Sequence, residues 1–190
     1  MAKEHPTDTS GQQPMAWLVL VYRVPSEPTR LRAAVWRRLK NLGAIYLQNS
    51  VAALPASSKA ERALRTLRSE INENMGGRAV LLTSTALAGG ADLITDFNAA
   101  RDDEYEEIVD RCQDFLAEIE KETSVRHFTY GELEENEEDL AKLRGWYEKV
   151  KARDTLGAGG AQAVEEALAK CTVAIEEFAA NVYEADSAAE

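Results

Sequence analysis

The order of strand-like and helix-like apolar patterns limits the folds that the first half of this chain can adopt. Residues 17–22 form a continuous apolar run rich in Val and aromatic residues, bounded by Pro14 and Pro25. A short run of this composition favours a buried strand. After a loop at 26–29, apolar residues recur at helical spacing until Gly43, where a helix is expected to end. This helical stripe consists of Leu31, Val35, Leu39 and Leu42.

A hairpin is predicted directly after this first helix. Residues 44–47 and 50–54 each carry a short apolar pattern, and Gln48-Asn49 lies between them where a tight turn is needed. We therefore expect the two segments to pair as neighbouring antiparallel strands.

A second amphipathic helix and a fourth strand complete this half of the chain. Ser57 or Ser58 can cap the helix at its start, and Gly76-Gly77 ends it. Residues 79–83 then predict the last strand. The apolar stripe of the second helix comprises Ala60, Leu64, Leu67, Ile71 and Met75.

The resulting order, β-α-β-β-α-β, predicts a ferredoxin-like domain over residues 16–88, with two helices on one face of a four-stranded sheet. Both crossovers close as right-handed units. Residues 89–186 show long helical periodicity in three stretches, which predicts a three-helix antiparallel bundle or a helical arm. Residues 1–15 offer nothing to bury, so a disordered tail is expected. The predicted fold class is α+β.

Charge is distributed unevenly along the chain. The 190 residues include 22 Lys and Arg against 33 Asp and Glu, a formal net charge of −11. Residues 23–68 nevertheless contain ten basic and two acidic residues, whereas residues 69–190 contain 11 basic and 29 acidic ones. Such an asymmetry is a hint that one end of the molecule faces a polyanion.

The basic residues concentrate on the two helices predicted for the first half. Arg32, Trp36 and Lys40 are four apart and form one exposed line, and Arg30 and Arg37 also share a face. A basic band across two such helices can bind a phosphate backbone. Alternatively, these cations are solvated or pair with the acidic C-terminal half. The candidate DNA-binding residues are Arg23, Arg30, Arg32, Arg37, Arg38, Lys40, Arg62 and Arg65.

Residues 23–68 do not contain the residue patterns that are typical of a catalytic site. A metal-dependent nuclease needs grouped carboxylates, but Arg23 follows the first predicted strand, and Glu27 and Glu61 are the two acidic residues of 23–68. No glycine-rich phosphate loop, Ser-His-Asp set or paired-carboxylate pattern is present in the sequence. We therefore expect neither enzymatic activity nor a cofactor.

Two Cys and two His are too few for a disulfide framework or a Cys/His zinc site. A reducing, intracellular setting and no bound metal are expected. Cys112 and Cys171 occupy apolar-stripe positions and are predicted core residues; the alternative, redox sensing, needs an exposed, electropositive thiolate.

His127 is expected to be a surface or capping residue. The acidic run at 132–139 is the negatively charged start of a helix, a weak divalent-cation site or a mimic of DNA against the basic helices.

Three stretches together resemble one known family. They are residues 17–40, residues 43–55, and residues 127–130 with 134–140. These stretches look like the N-terminal domain of the chromate resistance regulator ChrB, and the resemblance covers residues 16–185.

The resemblance implies a cytoplasmic bacterial transcriptional regulator, a repressor that binds promoter DNA of a chromate efflux operon and releases it when chromate is present. We also expect a homodimer and no membrane association, since the longest apolar run, 16–22, is far shorter than the ~18 residues typical of a transmembrane helix. The family is distantly similar to phenylacetate repressors and to small CRISPR-associated nucleases, although Arg23 argues against nuclease activity here.

Two further expectations concern how such a chain acts. Family members usually carry a second, C-terminal domain, so this chain, which stops at Glu190, is expected to be a free-standing N-terminal module. The alternative function is a protein–protein adaptor that uses the acidic helical half and does not bind DNA directly.

Overall fold

The computed structural model of the chain describes residues 15–188, in which four strands and five helices are present. The disordered tail predicted for residues 1–15 lies outside this range except for Met15. The elements are β1 (Ala16–Arg23), α1 (Arg30–Leu42), β2 (Ile45–Gln48), β3 (Val51–Pro55), α2 (Ser58–Glu73), β4 (Arg78–Thr85), α3 (Gly90–Ser124), α4 (Tyr130–Lys151) and α5 (Ala161–Ser187).

The chain divides into two compact units. The first contains the residues up to Leu39 together with Tyr46–Leu93, and the second contains Lys40–Ile45 together with the residues from Ile94 onward. The first unit therefore holds the sheet strands apart from Ile45, and the second holds most of α3 with α4 and α5.

The four strands form one antiparallel sheet in the order β2-β3-β1-β4. The central strand β1 pairs with β3 on one side and with β4 on the other, so that Leu18 lies opposite both Leu54 and Thr83. This strand order confirms the predicted ferredoxin-like βαββαβ arrangement and the α+β fold class.

The core of the first unit forms where the predicted apolar stripes meet one face of the sheet. Leu18 and Leu20 of β1 are buried on this face, since side chains alternate along a strand. The buried residues of the two helices belong to the predicted stripes: Val35 and Leu39 of α1, and Leu64, Leu67 and Ile71 of α2. Helical periodicity in the sequence therefore identifies the buried faces.

At two local boundaries a single residue explains the difference from the prediction. The hairpin turn consists of Asn49 and Ser50, one residue later than predicted, because Ser50 adopts the left-handed backbone conformation (φ 65°) that closes the turn. Helix α4 begins at Tyr130 instead of near Glu135, because the Thr129 hydroxyl accepts a hydrogen bond from the Glu132 amide at 3.2 Å and caps the helix there.

Helices α3, α4 and α5 share one hydrophobic core in the second unit. Tyr105 in the middle of α3 contacts Tyr147 near the end of α4, with ring centroids 6.1 Å apart, whereas the end of α3 leads directly into the start of α4. Tyr130 at the start of α4 contacts Tyr183 near the end of α5, with centroids 5.8 Å apart. These contacts show neighbouring helices running in opposite directions, as in the predicted bundle. Among residues 15–188, no helix has both the length and the apolar character required to cross a membrane.

A buried arginine connects residues 40–45 of the second unit to its helices. Arg101 is only 2% exposed, and its Nη1 donates a hydrogen bond to the Gly43 carbonyl at 2.8 Å. Glu104 accepts from Arg101 Nη2 at 3.1 Å and from Arg153 Nε at 2.9 Å, so the buried charge has a partner. Gly43 is required here, since its φ is +79° and a Cβ would lie 2.6 Å from Arg101 Nη1.

The start of α2 provides a test of the local structure with a matched control. The Ser57 hydroxyl accepts a hydrogen bond from the Ala60 amide at 3.1 Å, so Ser57 is the N-cap. The sequence alone was compatible with either Ser57 or Ser58. We expect Ser57→Ala to lower the free energy of unfolding by about 1 kcal/mol. Ser58→Ala removes an equivalent hydroxyl one residue later and should change it by less than about 0.5 kcal/mol. Urea denaturation of both variants measures the difference, and equal losses would contradict the cap assignment.

Candidate nucleic-acid interface

The orientation of α1 follows from its buried stripe. Successive helical residues are rotated by about 100°, so Arg30 and Arg37 lie on the side of the helix opposite Val35 and Leu39. Val35 and Leu39 are fully buried, and both arginines are exposed. The side chains of Arg30 and Arg37 therefore face away from the core of the first unit.

The remaining basic residues of α1 lie on its two flanks. Arg32 is exposed on one flank, next to the half-exposed Trp36. Lys40 is also exposed and lies in the last turn of the helix, within the part of the chain assigned to the second unit. Arg38 is on the other flank, where its Nη2 donates to Glu70 Oε1 of α2 at 2.8 Å. This ion pair joins the two helices.

The basic residues of α2 divide in the same way. Arg62 lies opposite the buried stripe and is exposed. Arg65 pairs with Glu61 one turn earlier, with Nη2 2.6 Å from Oε1. Glu61, Arg65 and Arg68 line one side of a groove of about 390 Å³ whose other side is strand β4. The groove is thus basic along its helical wall, with one carboxylate already paired there.

Five of the eight candidate residues have no carboxylate partner among residues 15–188: Arg23, Arg30, Arg32, Arg37 and Arg62. The pairs of Arg38 and Arg65 are exposed, and such pairs contribute at most about 1 kcal/mol each. Unpaired guanidinium groups remain available to phosphate oxygens, which they bind with two parallel hydrogen bonds. The outward side of α1 and α2 can therefore bind a polyanion.

Arg23 is not part of this helical surface. Strand alternation places it with Val19 and Val21 on the sheet face opposite α1 and α2. There it lies directly across from Arg78 of β4, and both side chains are exposed. Two like charges at opposed positions repel each other, so this pair favours a bound anion. Arg78 was not among the predicted residues, because only the β1–β4 register brings it next to Arg23.

A comparison with protein families identifies the chain. A model of the family described as "Protein ChrB, N-terminal" matches residues 32–189, more than half of the sequence. The chain belongs to the ChrB N-terminal family. The matched range includes all of α2 and most of α1, while Arg23 and Arg30 lie before it. Neither the curated proteins nor the solved structures contain a match to the chain.

The two cysteines of this ChrB N-terminal family member lie in the core of its helical unit. Cys112 and Cys171 are both fully buried, and the Cys171 Sγ donates to the Cys112 carbonyl oxygen at 3.5 Å. Burial raises the pKa of the Cys112 thiol and is also the main cause that raises the pKa of Cys171 to about 12. This environment supports the predicted core role over redox sensing, which needs an accessible thiolate.

Thiol labelling tests this assignment. We expect a disulfide reagent such as Ellman's reagent to react with neither cysteine of the folded protein at pH 7–8, because both thiols are inaccessible and protonated. The same reagent should titrate both thiols once the chain is unfolded in guanidinium chloride. Rapid reaction of either thiol under native conditions would contradict the core assignment.

The acidic run of this ChrB N-terminal family member begins in the first turn of α4. Glu132 is the acidic residue of that turn, which favours a helix start through the helix dipole. Its carboxylate also lies near His127 and Glu122: His127 Nδ1 is 2.8 Å from Glu122 Oε2 and 3.5 Å from Glu132 Oε1. One nitrogen and two carboxylates can together hold a metal ion. His127 is exposed, as predicted for a surface residue, but it has two acidic neighbours.

Proposed function

We propose that this chain is a transcriptional regulator of chromate resistance that binds promoter DNA through the outward side of α1 and α2. Membership of the ChrB N-terminal family supports the biological role. The observation that carries the binding mode is the set of exposed arginines without carboxylate partners on the outward side of these helices, namely Arg30, Arg37 and Arg62. We call these three residues the arginine face; Arg32, on a flank of α1, is not part of it.

The net charge of −11 does not prevent this mode of binding. At physiological ionic strength the Debye length is about 8 Å, so phosphates respond mainly to the charges nearest to them. A guanidinium that neutralises a phosphate also releases condensed counterions, which favours binding at low salt. The arginine face therefore attracts duplex DNA locally while the chain as a whole is acidic.

The pairing pattern ranks the candidate residues. Arg30 and Arg37 can bind phosphate without breaking an existing contact. Arg38 and Arg65 must first leave Glu70 and Glu61, and each would leave a carboxylate close to the DNA. We therefore assign the larger contributions to the arginine face and smaller ones to Arg38 and Arg65.

The double variant Arg30→Ala/Arg37→Ala tests the arginine face. Loss of two phosphate contacts in each chain should weaken binding to the upstream region of the chain's own operon and should reduce the slope of log K against log salt by about 1.8 for each bound chain. Fluorescence anisotropy at several salt concentrations measures both effects.

A matched control removes two positive charges elsewhere. Arg111 and Arg144 are exposed residues of α3 and α4, where Arg111 pairs with Asp114 and Arg144 donates to Thr172. Arg111→Ala/Arg144→Ala gives the same net charge as the test variant and should leave the salt slope unchanged. Equal losses in both double variants would contradict binding through the arginine face, and absence of DNA binding by the wild-type protein would favour the adaptor function.

Chromate is proposed as the effector. It is a dianion whose oxygens can accept hydrogen bonds from guanidinium groups, so it can compete with phosphate for the same arginines. We expect chromate to release the DNA complex at a lower concentration than sulfate, a tetrahedral dianion used as the control at matched ionic strength. No release at millimolar chromate, or equal release by sulfate, would contradict a specific effector role.

We further propose that the regulator is a non-enzymatic homodimer, because two copies related by symmetry present two arginine faces to two half-sites. Light scattering should give twice the chain mass of 21.0 kDa. A monomer both free and on DNA would contradict the dimer. Cleavage of duplex DNA in the presence of Mg²⁺ would contradict the absence of nuclease activity.

A further inference from the structure

Three potential metal ligands converge where α3 gives way to α4. Glu122 belongs to the last turns of α3, His127 to the connecting loop, and Glu132 to the first turn of α4. One ligand atom from each residue lies within 4.8 Å of the other two. All three residues belong to the second unit, whereas the arginine face belongs to the first.

We propose that Glu122, His127 and Glu132 form a binding site for one divalent transition-metal ion such as Zn²⁺. A zinc ion bound by imidazole nitrogen and carboxylate oxygen at about 2.0–2.2 Å has ligand atoms about 3.3–3.5 Å apart in a tetrahedral arrangement. His127 Nδ1 and Glu132 Oε1 are already 3.5 Å apart, and the 2.8 Å separation from Glu122 Oε2 needs only a small widening. Three protein ligands leave a fourth position for water.

The His127 ring lies between the two carboxylates, with Nδ1 2.8 Å from Glu122 Oε2 and 3.5 Å from Glu132 Oε1. When the ring carries its hydrogen on Nε2, Nδ1 has a free electron pair. A metal ion can then accept electron pairs from Nδ1 and from both carboxylates at once, and it replaces the hydrogen bond between His127 and Glu122.

The surroundings of the ligands differ from those of an ordinary acidic patch. The Glu122 side chain is only 10% exposed, although it is a carboxylate. The His127 amide donates to the Glu122 carbonyl at 3.0 Å, and Thr129 caps α4 at the Glu132 amide. These backbone contacts hold the three residues close together before any ion binds, which lowers the entropic cost of binding.

One nearby cation opposes metal binding. Lys121 Nζ lies 3.4 Å from Glu122 Oε1, but it is closer to Glu118, at 2.7 Å from Oε1. The Lys121 side chain is exposed, so it can keep its contact with Glu118 while an ion occupies the site. Its positive charge nevertheless repels a divalent cation, and its removal should strengthen binding.

Calorimetric titration of the full chain with ZnCl₂, in a chelator-free buffer without DNA, tests the site. We expect one ion per chain for the wild-type protein. Glu132→Gln keeps the size of the side chain and the hydrogen bond between His127 and Glu122, and should raise the Kd by about tenfold or more. Glu148→Gln removes the same charge from an exposed position near the other end of α4, about 24 Å along the helix from Glu132, and should change the Kd by less than about twofold, because that charge is screened.

Two further measurements distinguish ligation from general attraction to acidic residues. Lys121→Gln should lower the Kd, and the same concentration of Zn²⁺ should raise the Tm of the wild-type protein by several degrees and that of Glu132→Gln by clearly less. Absence of a one-to-one site, equal losses in Glu132→Gln and Glu148→Gln, or weaker binding by Lys121→Gln would each overturn the proposal. Because the titration contains no DNA, these results are independent of promoter binding.

Discussion

Burial of the apolar stripes on α1 and α2 determines where the positive charge of the first unit lies. Val35 and Leu39 must face the sheet, and helical geometry then turns Arg30 and Arg37 in the opposite direction. Arg62 is oriented in the same way by the buried residues of α2. The cationic surface is thus a consequence of hydrophobic packing, and it requires no ion pair to hold it in place.

Local periodicity was sufficient to predict the order of elements, the buried stripes and the fold class. It was less accurate where a single residue decides a boundary, as at Ser50, whose left-handed conformation moves the hairpin turn, and at Thr129, which caps α4. Several polar residues near each boundary are compatible with a turn or a cap. Only the geometry of the flanking elements selects among them.

Tertiary partners were not predictable from the sequence. Arg37 and Arg38 are adjacent in the chain, yet only Arg38 has a carboxylate partner, because helix packing brings Glu70 to its flank. Arg23 and Arg78 meet through strand register, although 55 positions separate them in the sequence. The Glu122, His127 and Glu132 cluster has no familiar ligand spacing, since it depends on the path of the chain between two helices.

The salt dependence of wild-type binding to its own promoter duplex tests most directly whether a local cationic surface binds the DNA. If the three residues of the arginine face each contact one phosphate, the plot of log K against log salt should fall with a slope of about −2.7 for each bound chain. Failure to bind at low salt, or an affinity that does not change with salt, would contradict the claim that a local cationic surface outweighs the acidic charge of the chain.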